Sequence, residues 1–308
     1  MNATYHVPVM GPEVGELLVH NPGGIYLDGT LGGGGHAEII LGKLTEKGKY
    51  IGIDRDPEAL KNAGVKLKRY KNFKAYQSTF DKADEILKNE KISTVDGILL
   101  DLGISSWQID QDARGFAFRS GVDLDMRMNP EQPVTAKDIL NNYSREDLKK
   151  IFKEYGEERF SGKIASGVIT ARKQKEFKKA DELLLIIDRC VDPRFAVKSY
   201  ARIFQALRIE VNDELNLLKK ALDSFIKLMA INARLLVITY HSLEDRIVKN
   251  FMREMENPCT CPPELPVCIC GKIAEIRRIK PHFFTPSDQE VKNNPRARSA
   301  KLRAAVKI

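Results

Sequence analysis

Long apolar runs are missing from this 308-residue chain. None approaches the roughly 18 residues of a membrane span, so a spanning helix is not expected. Met1 to Met10 has no charged start followed by an apolar core, so export is not expected either and the chain reads as cytoplasmic. No internal repeat, low-complexity tract, Ser-His-Asp grouping, HExxH or Walker pattern occurs, so no solenoid, hydrolase, metalloprotease or P-loop reading has a starting point. Cysteine is sparse, at five, and tryptophan occurs once, as Trp107. With 43% hydrophobic and 30% charged residues, the composition is that of a soluble globular protein long enough for about two domains. The net charge is +8, and residues 272–308 hold ten Lys or Arg against three acids, or +7. Such a basic tail suits a phosphate backbone; a solvated tail that aids solubility is the plain alternative.

The most informative stretch is 25–57. Ile25 to Leu27 is a short apolar strand that runs into Asp28, Gly29 and the four glycines Gly32 to Gly35. A helix with Ile39, Ile40, Leu41 and Leu44 on one side follows, and Tyr50, Ile51 and Ile53 restart a strand that ends at Asp54. This is a βαβ unit whose glycines let backbone approach a ligand closely. Gly32-x-Gly34-x-x-Ala37, with Asp54 twenty residues after Gly34, fits a dinucleotide fingerprint, so a nicotinamide dinucleotide is a live reading. Asp28 argues against it, because a carboxylate ending the first strand would repel a pyrophosphate. S-adenosylmethionine (SAM), which carries a sulfonium and an ammonium and no phosphate, would instead be attracted by Asp28 and would offer its ribose to Asp54.

Asp56 caps a helix that begins at Pro57. Phe73 to Tyr76 is a third strand. It delivers Phe80 to the sheet's carboxyl edge, facing an adenine ring or simply in the core. Val95 to Asp101 is a fourth strand, so Asp28, Asp54 and Asp101 arrive at one edge. Leu102 to Met128 has neither period. Within it Trp107, Phe116 and Phe118 are candidates for stacking a base, and Arg114, Arg119 and Arg127 for holding phosphates; a lid packed on the core is the alternative. From Thr135 to about Lys198 the spacing is helical, with Ser144 as a cap. An amphipathic helix is expected over Val211 to Met229, then a strand from Arg234 to Tyr240, a helix capped by Ser242, and two final antiparallel strands, Ile273 to Ile279 and Lys301 to Lys307. His241, at a strand's carboxyl end, is either a helix start or a base.

Cys259-x-Cys261 and Cys268-x-Cys270 form two close pairs. In a cytoplasmic chain they suggest a structural zinc held by all four thiolates. The single-residue spacing and the prolines around them leave free thiols in a rigid loop as the other reading. Cys190 reads as core.

Six stretches in order resemble the MraW family of 16S rRNA cytidine N4-methyltransferases: Asp-Gly-Thr-x-Gly-Gly-Gly-Gly-His, Gly-Ile-Asp-Arg-Asp-Pro, Asp-Gly-Ile-Leu-Leu-Asp-Leu-Gly-Ile-Ser-Ser, Leu-Asp-Met-Arg-Met, Phe-Gln-Ala-Leu-Arg-Ile and His-Ser-Leu-Glu-Asp-Arg. The resemblance runs from His6 to the basic tail at 294–303. It implies an α/β class I SAM-dependent methyltransferase fold, Rossmann-like with a mostly parallel sheet, interrupted by a small helical domain. The expected parts are 1–104, an inserted loop and substrate-recognition domain at 105–200, and 201–308. It further implies SAM as cofactor, held by Gly34, Gly35, His36, Asp54, Phe80, Asp101 and Gln108, with Asp28 added by the charge argument above. Its implied substrate is the exocyclic N4 of a cytidine in the decoding region of 16S rRNA, within a small-subunit particle. No membrane partner is expected, and a homodimer is left open. The usual Asp/Asn-Pro-Pro-aromatic stretch of amino-methylating enzymes is absent, its place taken by Asp101-Leu102-Gly103-Ile104, so Asp101, Ser105 and His241 stand as candidates to orient the amine. Two departures from the family's pattern are Ser199-Tyr200-Ala201-Arg202-Ile203 and Asn232-Ala233-Arg234. A NAD-dependent oxidoreductase and a non-catalytic RNA-binding protein on the same fold remain the alternatives.

Overall fold

The computed structural model describes residues 8–262 and 269–308. The start of the expected N-terminal arm and Cys268 lie outside the described residues. The chain divides into two compact units, one formed by 1–103 with 216–308 and the other by Ile104–Leu215.

The first unit is built on one sheet. Among the described residues its strands are β1 (Ile25–Asp28), β2 (Lys49–Asp54), β3 (Phe73–Gln77), β4 (Val95–Asp101), β5 (Met229–Thr239), β6 (Ile276–Arg278) and β7 (Lys301–Lys307), in the order β3-β2-β1-β4-β5-β7-β6. β1 to β5 pair in parallel, and β7 runs antiparallel between β5 and β6. This is the class I methyltransferase arrangement expected above. The central strands carry apolar residues at successive positions because both faces are covered. Leu27, Ile53, Ile98, Leu100, Leu235 and Val237 join one buried cluster, while Tyr26, Tyr50, Leu99, Leu236 and Ile238 join the other. The first face is covered by helices Ala83–Asn89, Glu214–Leu228 and Ser242–Glu256, the second by Gly11–Leu18 and Gly35–Leu41. The strand order reverses between β1 and β4, and in open α/β sheets ligands bind outside the carboxyl ends at such a point.

β5 begins at Met229, earlier than the expected Arg234, and its register against β4 shifts between Val95 and Gly97. Asn232 sits in this irregular stretch at φ 68°, a left-handed conformation that asparagine tolerates where the family's pattern has glycine.

The second unit has its own core, made by Leu140, Leu148, Phe152, Ile164, Leu183, Ile187, Phe204 and their neighbours. Its helices include Ala136–Asn142, Arg145–Glu154, Ser161–Arg172, Ala180–Cys190 and Pro193–Asn212. Ser144 caps the second of these, accepting from the Asp147 amide at 3.1 Å. The unit ends at Leu215 and not at 200. The reason is that Pro193–Asn212 is one continuous helix, with Asp192 as its cap, and it buries Ile203, Phe204, Ala206, Leu207 and Val211 in this core. Asp213, at φ 50°, then breaks the chain, so the helix expected from Val211 starts at Glu214.

Candidate functional site

The glycine loop between β1 and helix Gly35–Leu41 is shaped by its backbone. Gly32 and Gly34 lie at φ 53° and 79°, where a side chain would be strained, and a Cβ on Gly29 would come within 2.6 Å of Leu100 and 2.8 Å of Phe80. Asp54, at the end of β2, holds the loop from below. Its Oδ2 accepts from the Gly32 amide at 2.7 Å and its Oδ1 from the Asp56 amide at 2.9 Å. Burial pushes the Asp54 carboxyl above its usual range, opposed by those two amides. Asp54 therefore orders the glycine turn and, being only partly buried, keeps the position expected of a ribose acceptor.

Asp101 closes the same edge from β4. Its amide donates to Thr30 Oγ1 at 2.6 Å, its Oδ1 accepts the Tyr240 hydroxyl at 2.8 Å, and its Oδ2 lies 3.4 Å from His36 Nε2. His36 is 7% exposed, and among the described residues neither ring nitrogen has a hydrogen bond, although Nε2 faces the Asp101 carboxylate. A buried imidazole nitrogen without a hydrogen bond is costly unless a ligand supplies one. Burial, and then the Asp101 charge, raise the Tyr240 hydroxyl well above the ordinary tyrosine range, so it stays protonated and donates. Gly34 and Gly35 form the start of the helix that carries His36.

Two expectations, for Asp28 and for the Ser242 cap, need correction, and Phe80 takes the plainer of its two readings. Asp28 is 1% exposed, with Oδ2 accepting the Tyr50 hydroxyl at 2.8 Å and Oδ1 the Thr30 amide at 2.9 Å. Burial lifts its carboxyl to about 6. It acts as a scaffold for the turn, and the partly exposed carboxylates at this edge are Asp54 and Asp101, so the charge argument against a pyrophosphate no longer rests on Asp28. Phe80 is 7% exposed and belongs to the core, with the Arg55 guanidinium 6.0 Å from its ring centroid. His241, and not Ser242, caps helix Ser242–Glu256: its Nδ1 lies 3.5 Å from the Glu244 amide and its Nε2 3.1 Å from Glu244 Oε1. That engagement ties the imidazole to the helix start, the plainer of its two readings.

In the inserted unit, Ser105 and Gln108 bond each other. Ser105 Oγ accepts from the Gln108 amide at 3.2 Å and Gln108 Oε1 from the Ser105 amide at 3.0 Å, a reciprocal cap. Several of the residues expected to clamp RNA are engaged within the protein, Arg119 while staying exposed. Phe116 is 7% exposed within the core. Arg114 donates to the Met128 carbonyl at 2.7 Å, Arg127 forks onto Asp125 at 2.7 and 2.9 Å, and Arg119 pairs with Asp112. Phe118 stays 40% exposed. In the tail, Arg303 is 5% exposed and forks onto Asp245 at 2.7 and 3.1 Å, so it belongs to the scaffold. Of the cysteines, Cys259, Cys261 and Cys270 bring their sulfurs within 4.8 Å of one another, and the Ile269 amide donates to Cys261 Sγ at 3.4 Å. Cys190 is buried, as expected.

Thr30, Tyr240 and Glu244 were not picked out from the sequence. Thr30 lies inside the glycine motif and Tyr240 at the last position of an expected strand, so their places were visible while their bonds across the sheet were not.

Residues 3–308 match the MraW methylase family. The chain is 45% identical over 305 residues to the ribosomal RNA small subunit methyltransferase H of Clostridium botulinum strain 657, covering 98% of this chain and 99% of that one. It is 43% identical over 305 residues to the protein of the same name from Fusobacterium nucleatum, covering 99% and 97%. With that of Caldicellulosiruptor bescii it shares 45% over 304 residues, covering 98% and 99%.

Proposed function

The chain belongs to the MraW methylase family, and from that premise we propose that it methylates the exocyclic N4 of a cytidine in the decoding region of 16S rRNA. It is a SAM-dependent methyltransferase of small-subunit ribosomal RNA. The observation that carries the site assignment is the glycine turn at the sheet's reversal point, held by Asp54, beside the buried ring of His36, whose nitrogens lack hydrogen bonds among the described residues. These residues fit SAM. Gly34, Gly35 and His36 would lie along it, Asp54 would accept from its ribose hydroxyls, and Asp101 would sit beside its charged end. When bound, the cofactor supplies a methyl group activated by the sulfonium.

The protein's own task is alignment of the amine with that methyl. Asp101 is the candidate for orienting the amine. Tyr240 donates to its Oδ1, which fixes the plane of the carboxylate. Ser105 and His241 are both engaged as helix caps, so they stand behind Asp101 in this role. Gln108 is retained as a cofactor contact on the resemblance alone. A target amine inside stacked, paired RNA cannot reach this edge, so the base is extruded or already single-stranded. The natural substrate is a small-subunit particle, and the work is cytoplasmic. No helix among the described residues is long and apolar enough to cross a membrane.

Radiolabelled SAM, offered with small subunits from cells that lack this protein, should label 16S rRNA, and nucleoside mass spectrometry should find N4-methylcytidine. Recovery of 5-methylcytidine or a ribose methyl ether would refute the amine as acceptor, and an unlabelled RNA would refute the transfer itself.

The thiol cluster favours a second component of the reading, a structural zinc on Cys259, Cys261, Cys270 and, outside the described residues, Cys268. An amide donating to Cys261 Sγ suits a thiolate ligand. Protein kept reduced and free of chelator should carry about one equivalent of zinc. Elemental analysis that finds none would decide for plain thiols.

A further inference from the structure

Beside the end of β5 lies a cavity of about 320 Å³, lined by Thr239, Tyr240, His241, Ser242, Asp245, Thr285, Arg298, Ser299, Ala300 and Lys301. That volume is at the small end for ligand pockets, room for a phosphodiester and part of a sugar. Its charge is cationic. Arg298 has no ion-pair or hydrogen-bond partner among the described residues. Lys301 is 43% exposed and 3.5 Å from Asp245 Oδ2, while Asp245 is already forked by Arg303 at 2.7 and 3.1 Å. Asp245 thus meets two cations, Lys301 and Arg303, while Arg298 lines the same cavity without a carboxylate of its own among the described residues. Thr285 and Ser299 add hydroxyl-bearing residues to the same wall.

The wall is built. Arg298 rides on a tight turn, Pro295–Ser299, anchored on either side by Ala297 and Ala300, which are 0% and 1% exposed. Next to it Phe283 is 44% exposed, with the Lys301 ammonium 5.6 Å and the Arg303 guanidinium 5.5 Å from its ring centroid. An accessible aromatic ring beside a cation pair is what a single strand of nucleic acid engages, the base stacking while its phosphate meets the charge.

We propose that this cavity is a phosphate subsite that grips a backbone phosphate of the RNA strand carrying the target base, with Arg298 and Lys301 as its cations and Phe283 as a stacking platform. The inference rests on the RNA reading given above. Tyr240 ties it to the site, since the same residue borders the cavity and its hydroxyl donates to Asp101.

The test is the double variant Arg298→Gln, Lys301→Gln, with Phe283→Ala and Arg298→Lys beside it. Binding of 16S rRNA and of small subunits is measured against salt, SAM affinity by calorimetry, and methyl transfer as above. The double variant should bind RNA about tenfold more weakly, the size of one charge-assisted contact. Its slope of log affinity on log salt should drop by about 0.7 for each phosphate released. SAM affinity should hold. Phe283→Ala should weaken RNA without changing the slope, and Arg298→Lys should recover most of the affinity. A double variant with the parent's RNA affinity and slope, in a parent that methylates RNA, overturns the subsite and leaves the methyltransferase reading intact. A double variant that loses both while the parent makes no methylated cytidine keeps the subsite and removes the proposed activity. An equal loss of SAM affinity would mean that the substitutions act through the fold, and would overturn the subsite. Competition by inorganic phosphate as strong as that by RNA would assign the cavity to free phosphate and overturn the RNA assignment.

Discussion

The sheet's carboxyl edge and the loop that opens the inserted unit hold the same kinds of residue, acids, arginines and aromatics among glycines, and use them in opposite ways. At the sheet edge the backbone is satisfied by strand pairing. Asp54 and Asp101 arrive by register, as the last residues of β2 and β4. In the loop 104–135 there is little ladder to satisfy carbonyls and amides, so side chains take over. Arg114 bonds the Arg127 and Met128 carbonyls, Arg127 the Gln132 carbonyl at 2.6 Å, and Asn212 both the Met128 amide and the Met126 carbonyl at 2.8 Å. The same chemistry that reads as a phosphate clamp in a sequence serves here to hold irregular backbone together. Regular backbone frees polar side chains for ligands, and irregular backbone consumes them.

The largest expected effect tests the second half of that contrast. Asn212 is 1% exposed, and Asn212→Leu would leave the Met128 amide and Met126 carbonyl buried and unpaired, at about 1–3 kcal/mol each. Urea denaturation should show a loss of about 2–6 kcal/mol. A variant as stable as the parent would show that the loop does not depend on this side chain.

Asp28 tests the first half, because it is the edge acid that became scaffold. Its folded carboxyl titrates near 6, above the unfolded value near 4, so its contribution to stability is complete below about pH 4 and is lost as pH rises through 6. Between those limits the parent should lose about 3 kcal/mol from this group. Asp28→Asn, which cannot ionise, should flatten that part of the pH profile. Parallel stability profiles for the two proteins from pH 4 to 7 would return Asp28 to the ligand side of the edge.

Asp54→Ala comes next, with SAM affinity falling by about 1.5–3 kcal/mol as a charged acceptor is lost and the Gly32 amide is released. Calorimetry with unchanged affinity would remove Asp54 from the cofactor site.

The contrast also explains what could be read from the sequence. Strand positions follow from apolar runs ending in acids, and those runs are plain at β1, β2 and β4, whereas their order in the sheet is not; the capped helices at Pro57 and Arg145 are equally plain, since Asp56 and Ser144 cap through bonds only two or three residues away. Helix Pro193–Asn212 was not recognised as one element, because its charged and aromatic positions such as Arg194, Tyr200 and Arg202 blur the period and its packing partners are remote in sequence. Tyr240 and Thr30 were missed because their bonds to Asp101 span 139 and 71 residues. Asp28 reads wrongly in the sequence because a strand-end acid and a buried acid look alike until Tyr50 is seen beside it in the adjacent strand, β2.

The smallest expected change in stability sits at Phe118, where the loop departs from its own rule. Phe116 is consumed by the core, but Phe118 remains 40% exposed, its ring 5.8 Å from Phe204 edge-on and 6.2 Å from Tyr200. Removing it forfeits contacts on one side only, so Phe118→Ala should cost about 0.5–1.5 kcal/mol of stability, the range of an aromatic pair. Phe116→Ala, by contrast, empties a buried position and should cost about 3–5 kcal/mol. If the loop keeps one surface for an extruded base, that surface includes Phe118, and a lost stack is worth about 1–3 kcal/mol. Turnover on small subunits at limiting concentration should then fall roughly tenfold in Phe118→Ala, more than that loss of stability accounts for. Should turnover stay at the parental value, the loop's aromatics are scaffold throughout, and substrate contact belongs to the sheet unit alone.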